Sequence, residues 1–171
     1  MVLSDHFALQ RLSERHLQWL AGMPATLLYR RQIFLCHGTP RSDVTYWLDR
    51  LTPGAVMAAT PVADVEAEAV GVEAPLMLCA HTHLPRVVRL HDRRLVVNPG
   101  SVGGPGYRDT APIAHAVEAG TPHACYAMER TPSGWQASIR YVAYDHMRMA
   151  ELAATNGRDD WARAIATGWL R

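Results

Sequence analysis

Two short apolar runs end directly in histidine, and this pattern constrains the chain more than any other feature. Ile33-Phe34-Leu35-Cys36 runs into His37-Gly38-Thr39-Pro40, and Pro75-Leu76-Met77-Leu78-Cys79 runs into Ala80-His81-Thr82-His83. Uninterrupted apolar runs this short, bounded by turn residues, read as strands covered on both faces. In open α/β sheets the ligand site lies just beyond the carboxyl ends of such strands. The histidines therefore stand where an α/β fold puts its chemistry.

The rest of the sequence supplies compatible elements. Ser13 caps a short helix ending near Ala21, stopped by Gly22 and Pro24, while residues 1–12 show little pattern. Residues 25–29 and 32–36 read as strands joined by a turn at Arg30 and Arg31. Asp43 is expected to cap a helix over 44–51, broken by Thr52-Pro53-Gly54, and a second helix is expected over 63–70. Residues 86–90 and 94–98 form a hairpin around His91-Asp92-Arg93. The loop 98–106 carries too much glycine and proline for regular structure, and residues 107–122 look irregular. Residues 124–129 and 136–143 pair across Thr131-Pro132-Ser133-Gly134, and helices over 145–156 and 159–167 close the chain, separated at Gly157. With no repeat and no dividing linker, residues 1–171 read as a single α/β domain.

Composition removes several function classes. Of 171 residues 49% are hydrophobic and 19% charged, as in an ordinary globular chain. A net charge of +1 provides no field to recruit nucleic acid or an acidic membrane. Cys36, Cys79 and Cys125 are isolated in apolar surroundings, which suits reduced core packing and a cytoplasmic location. The opening stretch has no apolar signal core, and no run is long enough to span a bilayer.

Nine histidines need sorting. His6, His16, His91 and His146 fall at polar or element-start positions and read as surface residues, and His115 and His123 fall in the irregular stretch with no assigned role. His37, His81 and His83 differ because imidazole is a common ligand for zinc, manganese and iron. On spacing alone the His81-Thr82-His83 pair is as readily a hydrogen-bonded loop pair as a ligand pair. If the backbone stays extended the two rings share a face; if it turns they reach two adjacent ions. Arg41 and Arg108 are candidates for contacting a substrate phosphate, and equally ordinary exposed arginines. Asn98-Pro99-Gly100-Ser101 reads as a tight turn shaping the site. The glycine-rich loop lacks the lysine and hydroxyl residue of a P-loop, and no GxSxG motif occurs. Trp47, Trp135, Trp161 and Trp169 suit core or interface positions.

Three blocks carry a resemblance: Phe34-Leu35-Cys36-His37-Gly38-Thr39-Pro40, then Leu78-Cys79-Ala80-His81-Thr82-His83-Leu84-Pro85, then Val97-Asn98-Pro99-Gly100-Ser101-Val102-Gly103. In order and spacing they resemble the final blocks of the calcineurin-like metallophosphoesterases, specifically the small bacterial branch of phosphodiesterases and diadenosine tetraphosphatase-like proteins. Tyr141-Val142-Ala143-Tyr144-Asp145 and the closing helices resemble that branch's ending, so the likeness runs from about Ser13 to the C-terminus. It implies the C-terminal portion of a layered α/β sandwich, with a mixed sheet and flanking helices. It also implies two divalent ions (manganese, iron or zinc), with His37 and His81 on one and His83 on the other.

The implied activity is metal-dependent hydrolysis of a small phosphoester, nucleotides included. Two departures stand out. Ala80 replaces the family's glycine, which is tolerable where the backbone needs no positive φ. The Asp-x-His, Gly-Asp-x-x-Asp and Gly-Asn-His-Asp/Glu blocks do not occur in this sequence. The family's bridging carboxylate and general-acid histidine belong to those blocks, so activity of this chain alone is in question. A non-catalytic scaffold that binds a partner is the alternative. The strands that would carry the absent blocks normally cover those present, so an exposed apolar face or strand edge is expected, covered by self-association or by residues 1–12.

Overall fold

The computed structural model describes residues 3–131 and 134–171. Its centre is a five-stranded mixed sheet of order β1-β2-β5-β7-β6, built from β1 (Thr26–Tyr29), β2 (Ile33–Cys36), β5 (Leu76–Leu78), β6 (Arg86–Arg89) and β7 (Leu95–Asn98). Strands β2, β5 and β7 are parallel neighbours, and β1 and β6 add antiparallel to the two sides. The carboxyl ends of β2, β5 and β7 therefore align along one edge. At that edge stand His37, the His81-Thr82-His83 loop and Asn98.

Side chains alternate across the sheet, as the two-residue period of strands requires. Met77 and Val96 face one way and join Trp47, Leu48, Val65, Ala69 and Leu90 in the larger buried cluster. Leu76, Leu95 and Val97 face the other way and pack with Ala127, Trp135 and Ala137 of the hairpin β10 (Ala124–Thr131) and β11 (Gly134–Val142). Helix α3 (Val62–Glu68) lies over the first face, its Val65 fully buried. The centre of the turn expected at Thr131-Pro132-Ser133-Gly134 lies outside the described residues.

Helix α2 (Glu14–Ala21) starts where expected, with Ser13 as N-cap, and helices α4 (His146–Thr155) and α5 (Asp159–Thr167) close the chain against each other. Four expectations need correction. Residues 44–51 are not a helix: Trp47, Leu48 and Asp49 are buried in succession at 3%, 1% and 1% exposure, and Asp49 opens strand β3 (Asp49–Leu51), which pairs with β4 (Met57–Ala59). A helix can bury one stripe, not three consecutive residues, so the extended form wins. Residues 107–122 are not irregular either. They contain the hairpin β8 (Gly106–Asp109) and β9 (His115–Glu118), held by the C-terminus through Arg108 to the Leu170 carbonyl and the Leu170 amide to Glu118.

The N-terminal stretch, without pattern in the sequence, includes helix α1 (Leu3–Leu9). Its Phe7 and Ala8 line an apolar cavity with α4 and α5 and so do not cover β1, where Leu27, Leu28 and Tyr29 stay about half exposed. The fourth correction concerns β2, whose residues are partly rather than fully buried, because its neighbour β1 lies open. Among the described residues no helix is long and apolar enough to cross a membrane. The three cysteines are free.

Candidate metal centre

Because β2 and β5 are adjacent, the loops that leave them meet. The amide of Ala80 donates to the His37 carbonyl at 2.8 Å, and the imidazoles of His37 and His81 stand 4.9 Å apart, centroid to centroid. Gly38 is required for this approach: a Cβ there would lie 2.5 Å from the Thr45 carbonyl and 2.6 Å from that of Ser42. His37, His81 and His83 line one pocket of about 800 Å³, whose wall also includes Tyr107, Arg108, Asp109 and Trp161.

The loop between the histidines turns rather than extends. His81 and His83 both have left-handed backbones, at φ 62° and 59°, while Ala80 is not among the positive-φ residues. Alanine is therefore accommodated at position 80. The turn sends the rings apart along the pocket: His81 packs against His37 and Tyr46, and His83 stands edge-on to Tyr107 at 5.2 Å.

A buried polar network lies under the loop. Thr82, 1% exposed, donates from its hydroxyl to the Asp49 carboxylate at 2.9 Å. Asn98 donates to that hydroxyl at 3.0 Å and to the Ala80 carbonyl at 2.6 Å. Arg86 Nε and Nη2 meet the other Asp49 oxygen at 2.9 and 2.6 Å, which balances the buried charge. Above the loop, the Tyr107 hydroxyl donates to the His81 carbonyl at 2.9 Å and lies 3.1 Å from the Tyr46 hydroxyl. Tyr46 in turn meets His115 Nε2 at 2.8 Å. His115, expected to have no role, is buried, with Nδ1 on the Ile113 carbonyl at 2.8 Å.

The electrostatics keep the loop histidines neutral. Burial, and for His81 the neighbouring His37, holds both below the ordinary imidazole value, and hydrogen bonding to the Val44 and Gly104 backbones opposes this only in part. His83 Nδ1 lies 2.6 Å from the Gly104 carbonyl. A carbonyl only accepts, so Nδ1 carries the proton and Nε2 presents a free lone pair. A second-sphere contact of this kind is how ligating histidines are oriented. For Asp109, burial raises the carboxyl, but the amides of Ala111 and Thr110 and the nearby His115 and His81 outweigh it and hold it low.

This donor chemistry fits a divalent cation. The rings of His37 and His81 stand 4.9 Å apart and His83 lies on the same pocket wall, which gathers imidazole nitrogens, common donors to such ions, in one place. Among the described residues no group of three or more His, Cys, Asp or Glu side chains is arranged to hold a metal ion. Of the two expected phosphate contacts, Arg108 lines the pocket. Arg41 does not: its guanidinium donates to the Ala67 carbonyl at 2.9 Å and pairs with Glu68 at 3.4 Å, binding the C-terminal end of α3.

No family model matches the sequence, and no curated protein matches it. Among solved structures, the fold is similar to that of a metallophosphoesterase from Sphaerobacter thermophilus, with a TM-score of 0.64 and 21% identity. The match covers 94% of this chain and 64% of that one, so the chain spans less than two thirds of its neighbour's length. At that identity the likeness is one of architecture: the protein has a metallophosphoesterase-like α/β fold with a mixed sheet and flanking helices.

Proposed function

We propose that this chain binds divalent metal through His37, His81 and His83 and belongs to the machinery of phosphoester hydrolysis, in the small bacterial branch of calcineurin-like metallophosphoesterases. The observation that supports it best is the meeting of three imidazoles at the carboxyl edge of adjacent parallel strands. Bound ions would neutralise phosphate oxygens and lower the pKa of a coordinated water. The chain's own residues do the rest. His37 and His81 hold one cation and His83, through Nε2, a second. Arg108 at the pocket wall pairs with a phosphate oxygen of the substrate, a small phosphoester such as a nucleotide. Trp161, on the same wall, covers its organic portion.

In the resembling enzymes the bridging carboxylate and the general acid lie in blocks absent from this sequence. Turnover by residues 1–171 alone is therefore expected near background, with metal binding retained. The test titrates the full chain with manganese, zinc and ferrous iron by calorimetry and follows hydrolysis of an aryl phosphodiester and an aryl phosphomonoester. Metal binding that weakens in His81→Ala and His83→Ala supports the reading, and any turnover should vanish in His83→Ala. A wild-type chain that binds none of the three ions would overturn it. Tight binding of a macromolecular partner, unaffected by those substitutions, would favour the non-catalytic scaffold instead.

A further inference from the structure

We infer that Thr82, clamped by the buried carboxylate of Asp49, is the positioning residue that aims both loop histidines into the pocket. The inference rests on the proposed metal role for its interest, but its geometric content stands alone. Left-handed backbone is costly for a non-glycine residue and persists only where the surroundings over-determine it. Here two such residues, His81 and His83, flank a single threonine. Loop backbones of this kind ordinarily recruit glycine or asparagine, so something outside the loop must hold it.

That something converges on Thr82. Its hydroxyl donates to Asp49 Oδ2 and accepts from Asn98 Nδ2. The amide of Thr82 returns to the Ala80 carbonyl at 2.7 Å, and the same carbonyl takes the second Asn98 hydrogen bond. Asn98 Oδ1 accepts from the Gly100 amide at 3.0 Å, so the following loop is tied to the same centre. Asp49 itself is fixed by two donors from Arg86. Strand β3, the end of β5, strand β6 and the end of β7 are thus joined through one hydroxyl. Thr82 is thereby fixed in the interior, while His81 and His83 on either side of it line the pocket.

The experiment compares Thr82→Val, which keeps the shape and removes the hydroxyl, with Thr82→Ser, which keeps the hydroxyl. The first readout is the set of ring-to-ring nuclear Overhauser contacts between His37 and His81 and between His83 and Tyr107, recorded on the metal-free chain. The second is cobalt affinity by absorption titration. Wild type and Thr82→Ser should show both sets of ring contacts. Thr82→Val should lose them, and bind cobalt about tenfold to a hundredfold more weakly, as loss of an outer-shell partner does. Retention of both contact sets in folded Thr82→Val would overturn the inference.

If Thr82→Val does not fold, Asp49→Asn decides, since it removes the charge but keeps an oxygen for Arg86. Ring contacts that weaken there, with the Trp47–Val65–Met77 core unchanged, uphold the inference, and unaltered ones overturn it. If wild type takes up no cobalt, the metal reading fails, and the ring contacts still judge the positioning role.

Discussion

Tyr107 holds the carbonyl of His81 with its hydroxyl, at 2.9 Å, while its ring stands edge-on to His83 at 5.2 Å. One side chain of the hairpin β8–β9 thereby touches both histidines of the loop. Its own hydroxyl is pushed well above the usual tyrosine value, by burial first and then by Tyr46 and the Asp109 and Asp49 carboxylates, so it remains a donor throughout the accessible pH range.

Tyr107→Phe should therefore leave the His81 carbonyl and the Tyr46 hydroxyl each short of a partner. The expected cost is about 1–2 kcal/mol of folding stability, read as a fall of a few degrees in melting temperature. The His83 ring contact should survive, because the phenyl edge remains. A variant as stable as wild type would show that the 2.9 Å contact carries no weight.

Gly104→Ala tests how His83 is aimed. A Cβ there would lie 3.3 Å from both Cε1 and Nδ1 of the His83 ring, crowding the imidazole away from the Gly104 carbonyl. Metal affinity should drop about tenfold while folding stability changes by less than about 1 kcal/mol. Calorimetric titration and urea unfolding separate the two quantities. Equal affinity in variant and wild type would mean that the ring has another way to hold its orientation.

The parts of this site that were legible in the sequence are those signalled by neighbours in the chain. Apolar residues at 33–36 and 75–79 announced strands, and the histidines directly after them could be placed at strand ends without coordinates. Asp49, Tyr46, Tyr107 and His115 gave no such signal. Tyr46 meets Tyr107 across 61 positions and His115 across 69, and nothing local marks a pairing of that range. Val44, Trp47, Leu48 and Leu51 match a helical stripe, but the environment of residues 44–51 is set by α3 and β5 closing around Trp47 and Leu48. Strands β8 and β9 carry no local signal, because four-residue segments such as Gly-Tyr-Arg-Asp lack an apolar alternation and their pairing is stabilised from outside by the C-terminal residues.

The open side of the sheet carries a prediction about association. Strand β1 is an edge strand with Leu27, Leu28 and Tyr29 at 49%, 52% and 46% exposure, and Trp19 on the nearby sequence segment is 67% exposed. Unpaired backbone beside exposed apolar side chains is a template for a second strand. Light scattering after size exclusion should show a concentration-dependent rise in mass. Leu28→Lys should suppress it without changing the unfolding transition. Association that persists in this variant would exclude β1 as the contact.

The last prediction concerns pH. Burial holds the folded-state values of His81 and His83 below 6.5, the value each has as an unperturbed group. Between that value and the depressed one the unfolded chain binds more protons than the folded chain, so stability rises with pH across this window and falls as the solution is acidified through it. Asp109 acts in the same direction but lower: its depressed carboxyl contributes stability that is fully present above 3.8 and is lost only as pH drops through its folded value. Urea unfolding at about pH 7.5 and about pH 5.5 thus isolates the histidines. Wild type should be less stable at the lower pH. His81→Gln/His83→Gln, which retains polar side chains that do not titrate, should show a shallower decline. Saturating divalent metal should steepen the wild-type dependence, since protons and metal compete for the same nitrogens, and should leave the double variant unchanged. A double variant with the full wild-type slope would place the acid-sensitive group elsewhere in the molecule and remove these two imidazoles as the cause.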